Sequence, residues 1–124
     1  MNGMVKTFGL THIGLAVRDA ERAYQFYHAV FGVEEYYRGE GEIMAKTPGA
    51  HDVIAFDQNA PNPGVRGGIS HIGFRLQSGA DIDAAVEAVE LAGGTVLRKG
   101  DFCPGCPYAF VTDPDGYEIE IWFE

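Results

Sequence analysis

Two stretches of the chain repeat one order of apolar and polar positions. Thr11–Val17 and Ser70–Leu76 each read hydroxyl, His, Ile, Gly, apolar, any residue, apolar. This alternation predicts a half-buried strand in each stretch. A polar break and an apolar pattern at helical spacing follow both, so the repeat covers a whole structural unit.

The two helical patterns have apolar faces and recognisable ends. Asp19 is placed to cap the start of the first helix and Gly32 to end it, while Gly93 and Gly94 end the second. The predicted apolar faces are Ala20, Ala23, Tyr24, Tyr27, Val30 and Phe31 in the first helix and Ile82, Ala85, Val86, Val89 and Ala92 in the second.

Three short strand-like segments, separated by Gly and Pro, follow each helix. They are Glu34–Arg38, Glu42–Lys46 and Asp52–Asp57 in the first half, and Thr95–Arg98, Tyr108–Thr112 and Tyr117–Phe123 in the second. The sequence therefore predicts one α+β domain of two tandem βαβββ modules. Module one covers about residues 8–58, a turn-rich linker about 59–68, and module two about 69–124. A half of this size buries too little surface to be stable alone, so we expect the two sheets to associate.

Composition and charge narrow the classes of partner. The chain has 124 residues, 46% of them apolar, and a formal net charge of −9. Such a charge disfavours nucleic acid and anionic membrane surfaces. No apolar run approaches the roughly 18 residues of a membrane helix. The first ten residues also lack the pattern of a secretion signal, so we expect a cytoplasmic protein acting on a small molecule.

Histidines and acids fall on the strand faces that the helices leave uncovered. Alternation places His12 and His71 there beside small residues, and the last strand adds Glu118 and Glu120. If the sheets curl around a shared space, two imidazoles and one carboxylate line it, with His51 as a further candidate. Such a set suits Fe(II), Mn(II), Ni(II), Co(II) or Zn(II) and leaves positions open for substrate. The pattern alone leaves Glu118 and Glu120 equally open.

Other polar and aromatic residues have two interpretations each. His51 is either an acid or base near the metal or a solvated residue at the start of a strand. Arg75 could bind a substrate carboxylate, although an ion pair with an acid is the more frequent role. Tyr108, Phe110 and Trp122 could form the wall of an aromatic pocket or pack within the sheet.

The remaining candidates favour structural interpretations. Cys103 and Cys106 form one C-x-x-C in a segment rich in Pro and Gly, which favours loop residues over a redox or metal site. Asp113 and Asp115 belong to a D-P-D-G turn that they are expected to shape. His28 lies within the first helix and is interpreted as structural.

Four segments of the chain, taken together in their sequence order, resemble the vicinal oxygen chelate superfamily. This superfamily includes glyoxalase I, extradiol dioxygenases, fosfomycin-resistance enzymes and bleomycin-resistance proteins. The resemblance covers nearly the whole chain and implies two βαβββ modules forming a cup-shaped sheet around one metal ion. The segments are His12–Val17, Ala23–Tyr27 leading to Val30–Gly32, His71–Phe74, and Asp113–Glu120.

The resemblance also implies a ligand set. By position, the metal ligands are His12, His71 and Glu120, the residue four places after the Gly of the D-P-D-G turn, so that Glu118 becomes a neighbour. One divalent ion is implied, with Fe(II) or Mn(II) favoured and Ni(II), Zn(II) or Co(II) as alternatives. Family members of this length are mostly dimers, which favours a homodimer here.

Two departures from the family pattern bear on the reaction. Glyoxalase-type members usually add a fourth ligand at the position where this chain has Ala55. This chain therefore lacks the fourth ligand unless His51 or Asp57 substitutes. Extradiol enzymes carry a Tyr where this chain has Phe110, and Tyr108 could take that role. The missing fourth ligand favours dioxygenase chemistry, with a glyoxalase-like lyase or isomerase as the alternative. A non-catalytic small-molecule-binding protein is the third possibility.

Overall fold

A computed structural model describes residues 4–124, so the first three residues of the N-terminal segment considered above lie outside it. The helices are α1 (Ala20–Phe31) and α2 (Ile82–Leu91), with one 3-10 turn at Gly79–Asp81. The strands of module one are β1 (His12–Ala16), β2 (Glu34–Gly39), β3 (Glu42–Lys46) and β4 (Val53–Asp57). Those of module two are β5 (Ile72–Arg75), β6 (Thr95–Asp101), β7 (Pro107–Thr112) and β8 (Glu118–Trp122).

Each module forms its own four-stranded mixed sheet. The strand orders are β1-β4-β3-β2 and β5-β8-β7-β6, with the first pair of each sheet parallel and the others antiparallel. This topology confirms the predicted α+β fold of two βαβββ modules. The repeat extends to the outermost strands, where the register shifts between Glu35 and Tyr37 in β2 and between Val96 and Arg98 in β6. Such irregularities twist an exposed edge away from further pairing.

The ends of α1 follow the predicted capping. The Asp19 carboxylate accepts a hydrogen bond from the Arg22 amide at 3.1 Å. Gly32 closes the helix with φ of 72°, a left-handed conformation that glycine adopts at little cost. In module two, Gly93 follows α2 in the same region, with φ of 98°. Both predicted helices are therefore confirmed with their ends.

A single hydrophobic core joins the two modules. Leu15, Phe26 and Tyr27 of module one share it with Val89 and Ile121 of module two. The predicted face of α1 was too narrow, because Phe26 is 2% exposed although it lies off the face that covers the module's own sheet. Its ring extends toward Gly94, where an added Cβ would lie 2.9 Å from it. α1 thus packs against both modules.

The D-P-D-G turn of module two is a second link between the modules. Asp113 shapes the turn as predicted, since one of its carboxylate oxygens accepts amide hydrogen bonds from residues 115, 116 and 117 at 2.9–3.0 Å. Its other oxygen accepts the buried Tyr27 hydroxyl of α1 at 2.7 Å. Asp115 does more than shape the turn, because it pairs with Arg18 and Arg22 of module one, each at 3.1 Å.

Burial at this link perturbs two ionisable groups. Burial raises the pKa of Asp113, and this outweighs the lowering by its hydrogen bonds from Tyr27 and the turn amides. Burial, followed by the neighbouring Asp113, raises the pKa of Tyr27 well above its usual range. The turn is therefore part of the interior and fixes the relative position of the modules.

Candidate metal centre

His71 and Glu120 meet on the face of the second sheet that α2 leaves uncovered. The His71 Nε2 atom lies 3.3 Å from the Glu120 Oε1 atom, and the two side chains are 34% and 16% exposed. Strand register brings them together, because β5 pairs in parallel with β8 and places Gly73 opposite Glu120.

The orientation of the His71 ring favours metal binding. The Ser70 hydroxyl contacts Nδ1 at 2.9 Å, which leaves Nε2 directed toward Glu120. Metal-binding histidines commonly have their second nitrogen held in this way. A single cation about 2.1 Å from each donor atom also requires a donor separation close to that observed. These two residues therefore fit a divalent cation.

His12 repeats this arrangement in module one, but among residues 4–124 no acidic side chain contacts it. The Thr11 hydroxyl contacts its Nδ1 atom at 3.2 Å. β1 pairs with β4 in the same parallel register, and Gly14 lies opposite Ala55. Ala55 is therefore the structural counterpart of Glu120, as the family pattern implied. Module one thus offers one candidate ligand and module two offers two.

His12 and His71 lie in different clefts along the seam between the modules. Ile13–Ala16 of β1 and His71 line one cleft, and His12 and Ile72–Arg75 of β5 line the other. Each cleft has a volume of about 530 Å³. Within residues 4–124, no three His, Cys, Asp or Glu side chains are close enough together to hold one metal ion. A single copy brings together His71 and Glu120 but leaves His12 apart.

Glu118 forms ion pairs with two arginines on the same face of the sheet. Its carboxylate pairs with Arg66 and Arg98, each at 3.1 Å. The Arg98 guanidinium also lies 4.0 Å above the Phe110 ring, which borders Glu120 in the strand register. These contacts make Glu118 a neighbour of the ligand pair, in agreement with the family pattern.

The predicted aromatic residues form a row on this open face. Phe110 meets the His71 ring edge to face, with centroids 5.2 Å apart. Tyr108 lies 5.6 Å from Phe110 and stacks on Phe102 at 4.5 Å. Trp122 covers Gly73, where an added Cβ would lie 3.4 Å from the indole nitrogen. The row runs from the ligand pair toward the β6–β7 hairpin.

The other candidates lie outside this row. Arg75 donates a hydrogen bond to the Glu124 backbone carbonyl at 2.7 Å, and its guanidinium lies over the Trp122 ring. These contacts take the place of the ion pair with an acidic side chain that was considered the more frequent role. His51 is exposed in the β3–β4 connection. His28 is structural, as expected, since its Nδ1 lies 2.8 Å from the Val33 carbonyl.

Sequence reasoning missed two features of the site. The hydroxyl that precedes each histidine was visible in the repeated motif and was a usable signal for the ring contacts. Arg66 and Arg98 carried no such signal, because one lies in the linker and the other beside a register shift in an edge strand.

The curated proteins that are similar to this chain include the following three. A probable trivalent organoarsenical cleaving enzyme of Bacillus subtilis (strain 168) is 27% identical over 119 residues, which cover 90% of this chain and 77% of that protein. A putative lactoylglutathione lyase of Brassica oleracea var. gemmifera is 29% identical, with coverages of 89% and 42%. The metapyrocatechase of Geobacillus stearothermophilus is 27% identical, with coverages of 93% and 34%. The chain thus spans less than half the length of the last two.

Solved structures show the same fold. A glyoxalase/bleomycin resistance protein/dioxygenase family enzyme from Burkholderia phytofirmans PsJN superposes with a TM-score of 0.76 at 20% identity, covering 91% of this chain and 96% of that one. The family model of the Glyoxalase/Bleomycin resistance protein/Dioxygenase superfamily matches residues 9–121, nearly the whole chain. This match, together with the repeated modules and their strand register, shows that the chain belongs to the Glyoxalase/Bleomycin resistance protein/Dioxygenase superfamily.

Proposed function

We propose that this protein is a divalent-metal-dependent enzyme, of dioxygenase type, that uses His12, His71 and Glu120 as metal ligands. The observation that carries the proposal is the convergence of His71 and Glu120 to 3.3 Å beside a hydroxyl that orients the imidazole. A bound divalent cation would stabilise negative charge on a substrate chelated through two adjacent oxygens. Fe(II) or Mn(II) is the favoured ion for this ligand set.

A second copy of the chain completes the site in this proposal. His12 and His71 line different clefts of one chain, so the three proposed ligands require either a rearranged seam or a partner. Two copies related by a twofold axis would pair His12 of each with His71 and Glu120 of the other, giving two identical sites. The protein is therefore a homodimer with shared metal centres.

Residues around the ligands suit a small, partly aromatic substrate. The Phe110 and Trp122 rings form an apolar wall beside Glu120, and Arg75 supplies a cation above the indole. We assign the first two to packing against the substrate and Arg75 to attraction of an acidic group on it. Tyr108 and His51 are the candidates for proton transfer, with Tyr108 on the sheet face that carries the ligands.

Ala55 is the reason to favour oxygenation over a glyoxalase-type reaction. It lies in the register position that Glu120 has in module two, so a three-ligand site retains a position for O₂ beside a chelated substrate. The metapyrocatechase relative is in keeping with such chemistry. The lactoylglutathione lyase relative supports the alternative, a lyase or isomerase in which water or His51 takes the fourth position.

Mixing two inactive variants tests the shared site. As homodimers, His12→Ala and Glu120→Ala each damage both sites. In a mixed dimer, one site combines the intact His12 of one chain with the intact His71 and Glu120 of the other. After random exchange of subunits, metal binding and activity should return to about a quarter of the wild-type site number. Mass-tagged subunits verify that the exchange has taken place. If the subunits exchange and neither metal binding nor activity returns, the shared site is wrong.

Metal content separates the reaction classes. Untagged protein purified under argon without chelator should hold close to one equivalent of iron or manganese, which His71→Ala and Glu120→Ala should lose. Substrate-dependent O₂ uptake with catechols would then support the dioxygenase. Nickel or zinc with turnover of a glutathione hemithioacetal would support the lyase instead. Protein that binds a small ligand equally well with and without metal would support sequestration and contradict the enzymatic proposal.

A further inference from the structure

Glu118, Arg66 and Arg98 form a cluster on the open face of the second sheet, here called the Glu118 cluster. The Glu118 Oε1 atom lies 3.1 Å from Nη1 of Arg66, and its Oε2 atom lies 3.1 Å from Nη2 of Arg98. Arg66 and Glu118 also line the cleft that contains His71. The Glu118 side chain is 15% exposed, whereas those of the arginines are 44% and 54% exposed. One mostly buried acid therefore holds two accessible cations beside a candidate metal ligand.

Contacts other than the carboxylate also hold the two arginines in place. Arg66 donates a hydrogen bond to the Ser70 backbone carbonyl at 2.8 Å, and Ser70 is the residue whose hydroxyl contacts the His71 ring. The Arg98 guanidinium lies 4.0 Å from the centre of the Phe110 ring, a distance that gives a cation–π interaction. Both guanidinium groups should therefore stay near these positions when a neutral group replaces the carboxylate.

Two guanidinium groups around one carboxylate form a site for an oxyanion. Arginine binds carboxylates and phosphates through N–H donors in a fixed planar arrangement, so the chemistry of this pair selects such groups. Two cations on one acid leave the Glu118 cluster with one positive charge, in a chain whose formal net charge is −9. The anion that fills this site is the protein's own Glu118 side chain.

A carboxylate of the same chain is a strong competitor for such a site. A tethered group acts at an effective concentration of the order of millimolar or above, and the tether here is the strand β8. A free carboxylate binds partly exposed arginines weakly, because water solvates both partners. An anionic group on a small molecule at lower concentration therefore does not displace Glu118.

We propose that Glu118 is a specificity-determining residue that occupies the arginine pair and excludes anionic groups from this end of the open face. Glu118 and Glu120 are two residues apart on the same face of β8, or about 7 Å, so a substrate bound at Glu120 reaches the cluster. The part of that substrate next to Glu118 is then neutral. This conclusion about the substrate rests on the proposed function, whereas occupation of the arginines depends on no metal.

The other end of β8 presents an arginine in a different state. Arg75 lies beside Trp122 in the strand register, four residues or about 13 Å along β8 from Glu118. Its guanidinium lies 5.5 Å from the centre of the indole ring and donates to the Glu124 backbone carbonyl, and not to a carboxylate. One end of the open face thus accepts an acidic group and the other end is closed to it. An acidic substrate should therefore bind in a single orientation.

Binding of 4-fluorobenzoate to metal-free, full-length protein tests this assignment. Arg75→Gln is the background, because it removes the arginine at the other end of β8. In this background the probe should show no saturable binding up to about 10 mM. Adding Glu118→Gln should bring the Kd to about 1 mM or below, because two arginines then lack an anion. Adding Arg98→Gln as well should reverse this gain, and fluorine NMR line widths measure each affinity.

Glu35→Gln is the matched control in the same background. It removes an acid that pairs with Arg38 at 2.7 Å in module one, so the net charge changes by the same amount while the Glu118 cluster stays intact. Binding of 4-fluorobenzoate should remain undetectable. Glu118→Ala repeats the test by removing the whole side chain, and thermal unfolding verifies that each variant is folded.

Three results would overturn the assignment. One is folded protein in which neither Glu118→Gln nor Glu118→Ala raises the affinity for 4-fluorobenzoate, which would make the cluster purely structural. Another is a gain that persists after Arg98→Gln, which would place the anion elsewhere. The third is an equal gain for Glu35→Gln, which would reflect net charge alone. Because these titrations contain no metal, each result leaves the proposed metal site untouched, and loss of metal from His71→Ala tests that site separately.

Discussion

In module one the open face carries His12, an uncovered Gly14 and Ala55, whereas in module two the same positions carry His71, Gly73 and Glu120. A Cβ added to Gly14 would meet nothing within 4 Å, but one added to Gly73 would contact the Trp122 ring. The backbone plan is the same in both modules, down to the parallel register that aligns Ala55 with Glu120. The side chains on the open face, however, differ between the modules.

This difference teaches how a repeated fold divides a site between its halves. In the proposed metal site, module two supplies a ligand pair and an aromatic wall, while module one supplies one ligand and free volume. An acid in both modules would give four protein ligands, and the proposed arrangement has three. Fewer protein ligands leave more positions for substrate and O₂, which is the feature that separates catalytic from structural metal sites. Substitutions that treat the modules as equivalent should therefore have unequal effects.

The largest difference is expected between two carboxylates of one strand. Glu120→Gln removes the charged ligand and should weaken metal binding by more than about 100-fold, because losing a second-shell contact alone costs about 10- to 100-fold. Glu118→Gln should leave metal affinity nearly unchanged, since that residue pairs with exposed arginines. Competition with a chromogenic chelator measures both. Equal losses in the two variants would mean that the acid ligand has been wrongly chosen.

A smaller effect should follow from the hydroxyls beside the histidines. Ser70→Ala frees the His71 ring and should weaken metal binding by about 10-fold or more. Thr11→Val should do the same to His12 by a smaller factor, because its contact is longer, 3.2 Å against 2.9 Å. Ser78→Ala, which removes a hydroxyl that caps the 3-10 turn, is the matched control. Chelator competition again gives the affinities, and a larger loss for Thr11→Val would contradict the ranking.

The features that sequence predicted are those that local chemistry determines. Asp19 and Gly32 mark the ends of α1 because capping needs only neighbouring amides and a permissive backbone. Alternation assigned His12 and Glu120 to the open faces because successive side chains of a strand point to opposite sides. The family pattern identified Ala55 as the counterpart of Glu120, and the structure agrees because the register is the same in both modules.

The features that sequence did not predict depend on how the modules meet. Phe26 is buried because α1 contacts both modules, which its helical period alone does not reveal. The pairing of Asp115 with Arg18 joins residues from opposite ends of the chain. Alternation specifies a face and not the distance between two sheets, so it could not show that His12 and His71 line different clefts.

Tyr27 provides a test of the asymmetric link between the modules. Tyr27→Phe leaves a buried oxygen of Asp113 without its hydroxyl donor, and should lower the free energy of unfolding by about 1–3 kcal/mol. Tyr24→Phe is the control on the same helix, since the Tyr24 hydroxyl accepts only an exposed amide of Glu35 at 3.3 Å. Urea denaturation should show a loss below about 1 kcal/mol for the control. Similar losses would mean that the buried link contributes little.

The smallest effect is a pH dependence that arises from the buried turn of module two. Burial raises the pKa of Asp113 above its ordinary value of 3.8, so the folded protein holds this proton more tightly than the unfolded chain does. The stability contributed by Asp113 is therefore present below pH 3.8 and is lost as the pH rises through the folded-state pKa. Relative to Asp113→Asn, the wild-type protein should lose stability over this window.

Urea denaturation of both proteins between pH 4 and pH 7 measures the difference. Asp52→Asn, which alters an exposed carboxylate in the corresponding connection of module one, controls for the removal of an acid from the surface. A difference that grows in favour of the wild type with rising pH would reverse the sign. It would mean that the three turn amides and the Tyr27 hydroxyl stabilise the carboxylate more than burial penalises it. The link between the modules would then be strongest at neutral pH.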